Sequence, residues 1–250
     1  MAIVYLILTF IFGLVIGSFL NVCIYRLPRG ESIISPGSHC PHCGHLLGFL
    51  DLIPLISFLI LNRKCRYCGK EISPRYFFVE LITAILFLAV YVRFMVYERS
   101  VLLFIPYLIL CSGLVVITFI DLEHKIIPDK ITYPGIVAGL IISLFSRSFL
   151  SSLFGLAIGG GILYLIVVLS RGGMGGGDVK LAAMLGAFLG WRLILLNLFL
   201  SFLFGGIIAV ILLLLKLKGR KDYIPFGPYL ALAGVVTIFW GRQILFWYGL

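Results

Sequence analysis

The sequence predicts an all-α polytopic membrane protein with about eight transmembrane helices and a small loop that carries four cysteines. Apolar residues make up 62% of the 250 residues, charged residues make up 12%, and the mean hydropathy is +1.17. A soluble domain is instead about half apolar and a quarter charged. The apolar residues also fall in long runs, and a helix needs about 17–25 of them to cross a bilayer.

Eight runs of the sequence have the length of a membrane span. We expect spans at about 3–22, 76–97, 101–120, 131–147, 151–169, 179–191, 193–215 and 226–247. The chain then divides into a first transmembrane helix (1–25), a cytoplasmic loop with the cysteines (26–75) and a seven-helix membrane bundle (76–250).

The distribution of Lys and Arg predicts the orientation. With both termini outside, fifteen of the twenty Lys and Arg fall in the inner loops, counting Lys130 and Lys180 with them. The outer residues are Arg93, Arg99, Arg147, Arg192 and Arg242. Cytoplasmic loops carry an excess of positive charge. The net charge of +10 therefore indicates membrane topology, with membrane lipid as a partner and no nucleic acid.

The loop 26–75 contains two C-x-x-C-G sequences, which are typical of a zinc site. The cysteines are Cys40, Cys43, Cys65 and Cys68. The glycine after each pair permits the tight turn that lets backbone N–H groups face the sulfurs. Four thiolates with this spacing can close a tetrahedral structural Zn²⁺ site, and a cytoplasmic loop disfavours disulfides. The alternatives are four reduced thiols or a redox pair.

The remaining histidines and cysteines near this loop have simpler interpretations. His39, His42 and His45 could replace one cysteine ligand, but we expect them to be solvated. Cys23 and Cys111 lie in or beside apolar runs, where we expect them to pack as small apolar residues.

Two aspartates at the inner ends of apolar runs form a candidate acid–base site. Asp121 follows the third span, and Asp178 opens the sixth after a glycine-rich run that includes Gly172, Gly175 and Gly177. Ionisable groups at a membrane are costly and usually functional. We expect both carboxyl groups at the same cytoplasmic membrane level. A close pair would share one proton, activate a water molecule and protonate a leaving amine.

A structural interpretation of the two aspartates has about equal support from spacing alone. Asp178 could be the N-cap of a helix. Asp121 could be a loop residue that pairs with Lys125 or Lys180.

Other polar residues beside the apolar runs are weaker candidates. Glu123 and Asp129 compete for the role of partner carboxylate, and Asp129 could instead cap a helix. Glu80 and Asn21 could help to shape a site or form a hydrogen bond between helices. Arg75 could contact a substrate backbone or a lipid phosphate.

The motifs, taken together, resemble those of the type IV prepilin peptidases, bifunctional leader peptidases and N-methyltransferases of bacterial inner membranes. The matching segments are Gly17-Ser-Phe-Leu-Asn-Val22, Arg26-Leu-Pro28, the two C-x-x-C pairs, Pro74-Arg-Tyr76, Val79-Glu-Leu81, Ile120-Asp-Leu-Glu-His124, Ile127-Pro-Asp129, Gly175-Gly-Gly-Asp-Val-Lys-Leu181 and Ile224-Pro-Phe-Gly-Pro-Tyr-Leu230. They occur in family order and run from residue 17 to residue 230.

The resemblance implies that Asp121 and Asp178 are the catalytic pair of a GxGD-type membrane aspartic protease. Gly175 and Gly177 belong to the GxGD signature, and Asp129 is a motif residue outside the pair. The resemblance also implies cleavage after a glycine that ends the basic leader of a prepilin or pseudopilin. N-methylation of the new first residue, usually phenylalanine, then uses S-adenosylmethionine. The cysteine loop accompanies members that have both activities.

From the residues themselves, peptide cleavage is better supported than methylation, because no glycine-rich Rossmann loop for S-adenosylmethionine is visible. Arg63 also stands, before the second cysteine pair, where many members of the family have glycine. The alternatives are a prepilin peptidase without methyltransferase activity, a small membrane transporter and an assembly scaffold. A transporter would favour acids near the midplane of the membrane, and interfacial acids argue against it.

Overall fold

The computed structural model describes residues 2–146, 148–170, 173–219, 222 and 224–249, so Arg147 and Gly172 lie outside the described residues. Within these ranges the regular elements are helices, with two isolated β-bridges beside them. Six of the helices in the described part are long and apolar enough to cross a membrane. The prediction of an all-α membrane protein is confirmed.

The α-helices are α1 (Ala2–Arg26), α2 (Ile56–Ile60), α3 (Arg75–Val90), α4 (Val101–His124), α5 (Asp129–Phe145), α6 (Phe149–Leu169), α7 (Gly176–Leu214) and α8 (Gly227–Trp247). Short 3-10 helices cover Leu27–Arg29 and Phe49–Leu52, and a π-helix, Tyr91–Tyr97, continues α3. The eight predicted spans correspond to α1, α3, α4, α5, α6, two arms of α7, and α8. The count of about eight therefore agrees with the structure.

The helix α7 contains a reversal that explains why two spans were predicted there. Gly190 has φ 77° and ψ 175°, which is not helical. A Cβ atom added to Gly159 of α6 would lie 2.6 Å from the carbonyl oxygen of Ala182 and 2.8 Å from Cγ1 of Ile194. Twelve residues of straight helix would separate these two residues by about 18 Å. The helix α7 therefore folds back on itself at Gly190.

We name the two arms of α7 by their positions in the chain: α7a is 176–189 and α7b is 191–214. The arm α7a packs on α6 through glycine. A Cβ atom added to Gly155 or to Gly186 would collide with the backbone of the other residue. The two backbones therefore touch, which is the contact that small residues allow between membrane helices.

The chain forms two compact units, Met1–Val116 and Ile117–Leu250. In the first unit, α1 packs against α3 at Gly17, where an added Cβ atom would lie 2.6 Å from Cα of Glu80. In the second unit, α5, α6 and α8 pack around α7.

Candidate active site and metal centre

Asp121 lies in the last turn of α4, because this helix continues past the predicted end of the span to His124. Its side chain is buried, with the residue 2% exposed. Its Oδ2 accepts a 3.0 Å hydrogen bond from the backbone N–H of Gly227, the first residue of α8. The first N–H groups of a helix have no partner within the helix and form a favourable site for an anionic group. The start of α8 thus holds Asp121 in one position.

Asp178 is the third residue of α7a and is 3% exposed. Its backbone N–H donates a 3.1 Å hydrogen bond to the carbonyl oxygen of Gly175, and Gly175 is the N-cap of the helix. The interpretation of Asp178 as an N-cap is therefore wrong. Asp178 lies in the first turn of the helix, and its carboxyl group does not cap the N-terminus.

The structure brings Asp121 and Asp178 into one buried site within the second unit. The two carboxyl groups are close enough for their negative charges to repel each other. Ile127 lies against Gly177, which precedes Asp178, and against Gly227. Its Cβ is 2.9 Å from the position of a Cβ atom added to Gly177, and its Cδ1 is 3.1 Å from that of Gly227. Both glycines are needed here, because a larger residue would displace Ile127 or Asp121.

The packing of α7a on α6 gives the position of Asp178 along α6. Gly159 lies against Ala182, and Gly155 lies against Gly186, so the two helices run antiparallel. Asp178 is then level with Leu163, which is six residues before the end of α6. At 1.5 Å per residue, Asp178 lies about 9 Å inside that end.

Asp129 lies outside the pair of buried carboxyl groups. It is the first residue of α5, whose N-cap is Pro128, so the N-cap interpretation of Asp129 is also wrong. Both of its carboxylate oxygens accept hydrogen bonds from Nζ of Lys180, at 2.7 and 2.9 Å. The side chains of Lys180 and Asp129 are 34% and 53% exposed. Glu123 is exposed as well.

The sulfur atoms of Cys40, Cys43, Cys65 and Cys68 lie within 4.8 Å of one another. The Sγ atoms of Cys40 and Cys68 are 3.9 Å apart. Zn–S bonds of about 2.3 Å in a tetrahedron place neighbouring sulfurs about 3.8 Å apart. The four side chains therefore fit a metal ion of that size, and they form a cluster that could hold one.

The two halves of the cluster have the same backbone geometry. In each half the glycine that follows the pair donates a 2.9 Å hydrogen bond to the carbonyl oxygen of the first cysteine. Gly44 and Gly69 have φ values of 71° and 70°, which favour glycine. The bridges His39–Leu46 and Lys64–Glu71 close the two turns.

The pKa values of two thiols in this cluster are shifted in opposite directions. Burial raises the pKa of Cys40, but hydrogen bonds from the backbone of Cys43 and His42, and from neighbouring thiols, lower it to about 7. For Cys68, the backbone N–H of Lys70 lowers the pKa, but burial and its three cysteine neighbours raise it to about 11. A divalent cation would stabilise all four thiolates at once, because its charge offsets their mutual repulsion.

His39 and His45 make contacts with groups other than the four clustered cysteines, and Cys23 and Cys111 lie elsewhere in the chain. His39 Nδ1 lies 3.0 Å from the carbonyl oxygen of Gly37, and the ring of His45 lies 3.6 Å from that of Tyr67. Cys23 and Cys111 are buried in α1 and α4.

Asp51 connects the segment between the two cysteine pairs to the second pair through hydrogen bonds. Its carboxylate accepts hydrogen bonds from Nε of Arg66 at 2.6 Å, from the hydroxyl of Tyr67 and from the N–H of Gly48. The hydrogen bond from Arg66 is the main reason that the pKa of Asp51 lies below its usual value. Arg63 has φ 61°, a left-handed conformation that glycine adopts without strain. Glycine would therefore suit this position better than arginine.

Glu80 and Asn21 connect elements of the first unit. The carboxylate of Glu80, which is buried in α3, accepts a 2.8 Å hydrogen bond from the N–H of Leu55 in the loop. The side-chain amide of Asn21 donates a 3.1 Å hydrogen bond to the carbonyl oxygen of Tyr76 at the start of α3. The hydrogen bond between helices is thus present for Asn21. Arg75 lies at the start of α3, with its guanidinium carbon 5.2 Å from the ring centroid of Tyr76.

Gly227 and Ile127 lie in segments that resemble the family motifs, but the sequence analysis gave neither residue a role of its own. The signal for Gly227 was the Gly-Pro sequence at the start of the last apolar run, since proline favours the first turn of a helix. Ile127 lies in the matching segment Ile127-Pro-Asp129, but an isoleucine has no acid–base chemistry that would single it out.

Two protein-family models match the chain. The Bacterial Peptidase A24 N-terminal domain matches residues 11–94, which include the four cysteines, and the Type IV leader peptidase family matches residues 108–210, which include Asp121 and Asp178. No solved structure matches the chain.

Curated relatives match over most of the chain. A prepilin leader peptidase/N-methyltransferase of Aeromonas hydrophila is 38% identical over 98% of this chain and 93% of the relative. Proteins of the same name in Myxococcus xanthus and Bacillus subtilis are 43% and 36% identical. The match to the Myxococcus xanthus protein covers 82% of this chain and 62% of the relative. The match to the Bacillus subtilis protein covers 96% of both.

Proposed function

The chain belongs to the type IV leader peptidase family, and from that premise we propose that it removes the basic leader of type IV prepilins or pseudopilins and then N-methylates the new first residue. The observation that carries the peptidase half is the pair of buried carboxyl groups, Asp121 and Asp178, in one site. A close pair of carboxyl groups can hold one proton between them, which is what acid–base hydrolysis of a peptide bond needs.

In the proposed reaction, the ionised carboxylate takes a proton from a water molecule while the water oxygen attacks the scissile carbonyl carbon. The protonated carboxyl group gives its proton to the leaving nitrogen, and the C–N bond breaks. The products are a leader that ends in a carboxyl group and a mature protein with a free amine. The hydrogen bond from Gly227 keeps Asp121 in position through these steps, because the start of α8 is a rigid element.

The proposed orientation places this site toward the cytoplasm. Fifteen of the twenty Lys and Arg fall in loops on that side, which supports a cytoplasmic cysteine loop and external termini in a bacterial inner membrane. Asp178, one to two turns inside the end of α6, would then meet a substrate whose basic leader lies in the cytoplasm. The apolar helix of that substrate would lie in the bilayer.

For the metal we propose a structural Zn²⁺ held by Cys40, Cys43, Cys65 and Cys68. Four thiolates leave no open position for water, and a loop of this size has little core of its own. The ion would stabilise the fold of the loop, and no step of the hydrolysis involves it.

For methylation we propose S-adenosylmethionine as the donor. The described residues contain no β-strand, so the usual strand, glycine-rich turn and helix of a Rossmann site does not fit this chain. The methyltransferase half of the proposal rests on family membership and on the presence of the cysteine loop. It assigns no binding residue to the donor.

The test uses purified protein, a synthetic substrate with a basic leader, a Gly-Phe junction and an apolar helix, and labelled S-adenosylmethionine. Mass spectrometry of the products reports both activities. We expect a cut at Gly-Phe and a methylated phenylalanine. Asp121→Asn and Asp178→Asn should each abolish the cut, and the exposed Glu123→Gln should retain it as the matched control.

Each alternative predicts a different result. A cut without methylation would indicate a peptidase that lacks the second activity. Cleavage that survives in Asp121→Asn would move the catalytic role to Glu123 or Asp129. If the wild-type protein and Asp178→Asn both fail to cut a substrate that another family member cleaves, the transporter or scaffold interpretation would replace the peptidase.

A further inference from the structure

A groove of 660 Å³ lies between α7b and the end of α8. Of the nine residues that line it, eight are apolar or aromatic and one, Arg192, is charged. The volume lies in the range of sites that bind small organic molecules. The proposed leader peptidase reaction uses no residue of this groove.

The two helices are in contact beside the groove. A Cβ atom added to Gly241 of α8 would lie 2.9 Å from Cδ2 of Leu193, so the helices are in close contact there. Beyond Gly241, the side chains of Ile244, Leu245 and Tyr248 form one wall.

Aromatic residues mark this end of the second unit as a membrane interface. The chain has three tryptophans, and all three lie in α7b and α8, where Trp191, Trp240 and Trp247 are 39%, 56% and 87% exposed. Tyr248 is also exposed. Tryptophan and tyrosine concentrate at the boundary between lipid headgroups and acyl chains.

The single charge in the groove has no anionic partner in the part of the chain that the structure describes. The guanidinium carbon of Arg192 lies 5.1 Å from the ring centroid of Trp191. Among the described residues, no ion pair involves Arg192, and no acidic side chain lines the groove. A cation at a membrane boundary is costly unless an anion or water neutralises it. A ligand that combines a negative charge with an apolar body would match both the guanidinium of Arg192 and the apolar walls of the groove.

We propose that this groove binds one anionic phospholipid, with its phosphate on Arg192 and an acyl chain along Leu195, Phe199 and Leu245. An apolar helix of another protein would instead cover the guanidinium with side chains that cannot pair with it, which costs free energy. A phospholipid supplies the charge and the apolar chain in one molecule.

The experiment uses the fluorescence of Trp191 in the full-length protein. Trp240→Phe with Trp247→Phe leaves Trp191 as the single tryptophan. The protein is placed in bilayers of zwitterionic lipid that contain a small fraction of phosphatidylglycerol or phosphatidylcholine with brominated acyl chains, which quench nearby tryptophans. We expect brominated phosphatidylglycerol to quench about five-fold more effectively, the ratio expected from one basic residue near anionic lipid.

The variants separate a specific site from general contact with lipid. Arg192→Gln should remove the preference for phosphatidylglycerol, whereas Arg242→Gln, an exposed arginine of α8 that does not line the groove, should keep it. If Arg192→Gln does not fold, Arg192→Lys keeps the charge and should keep most of the preference. Equal quenching by both lipids, or a preference that survives in Arg192→Gln, would overturn the proposal. Weak quenching by both would also overturn it, because no lipid chain would then lie in the groove beside Trp191.

Discussion

The backbone N–H of Gly227 donates a 3.0 Å hydrogen bond to Oδ2 of Asp121, and this bond joins the start of α8 to the end of α4. The two residues are 106 positions apart in the chain. The contact requires glycine at residue 227, because an added Cβ atom would lie 2.6 Å from the same oxygen. The position of a candidate catalytic carboxylate thus depends on a glycine in another helix.

Gly227→Ala should lower the rate of leader cleavage. The added methyl group would push the carboxylate of Asp121 away from its position, and displacements near 1 Å can cost about a hundred-fold in rate. The measurement is kcat/KM on the Gly-Phe substrate. Gly206→Ala in α7b is the matched control, because an added Cβ atom there meets open space. A Gly227→Ala rate close to that of Gly206→Ala would show that the contact is unimportant.

Asp129→Asn should leave cleavage within a few-fold of wild type. Its ion pair with Lys180 is partly exposed, and such pairs contribute about 0.2–1 kcal/mol to stability. Steady-state kinetics beside a thermal unfolding curve give both quantities. Complete loss of cleavage in a folded Asp129→Asn protein would place this carboxylate among the catalytic groups.

Replacing both Cys40 and Cys43 by serine should remove one zinc ion per chain. Two of the four thiolates are lost, and a site with two remaining thiolates binds Zn²⁺ far more weakly. Elemental analysis by mass spectrometry measures the metal content. Cys111→Ser, which changes a cysteine outside the cluster, should retain the zinc. Unchanged metal content in the double variant would exclude the proposed ligands.

Arg63→Gly should make the second cysteine turn more stable. Arg63 has φ 61°, and a left-handed conformation costs a residue with a side chain roughly 1 kcal/mol relative to glycine. Hydrogen exchange of the amides in 61–72 should slow down. Lys64→Gly is the control, since Lys64 has no positive φ and the change adds only flexibility. Faster exchange in Arg63→Gly would contradict the conformation in the structure.

Gly186→Ala should destabilise the second unit. The added methyl group would overlap the backbone of Gly155 in α6, and overpacking of this kind costs about 1–3 kcal/mol. The measurement is Tm in detergent. Gly161→Ala in α6 is the control, because an added Cβ atom there has no neighbour within 4 Å. A Tm for Gly186→Ala at or above that of Gly161→Ala would mean that the two helices can separate without cost.

The predictions from the sequence were most accurate where one physical property acts over many consecutive residues. Runs of apolar residues gave six of the eight spans as parts of separate helices, and α7 covers the sixth and seventh. The four cysteines were predicted as one cluster, because the two C-x-x-C-G turns impose their own local geometry. The N-cap interpretations of Asp178 and Asp129 were wrong by one to three residues, since the position where a helix begins depends on packing as well as on capping.

The sequence by itself determined the membrane class, the cysteine cluster and the identity of the two aspartates as unusual acids among apolar runs. The tertiary structure decided that Asp121 meets Gly227, that Ile127 packs between Gly177 and Gly227, and that Gly190 reverses α7. The physical reason is the range of the interactions. Hydropathy and turn chemistry act between neighbours in the chain, whereas these contacts join helices whose approach is set by glycine packing across the bundle.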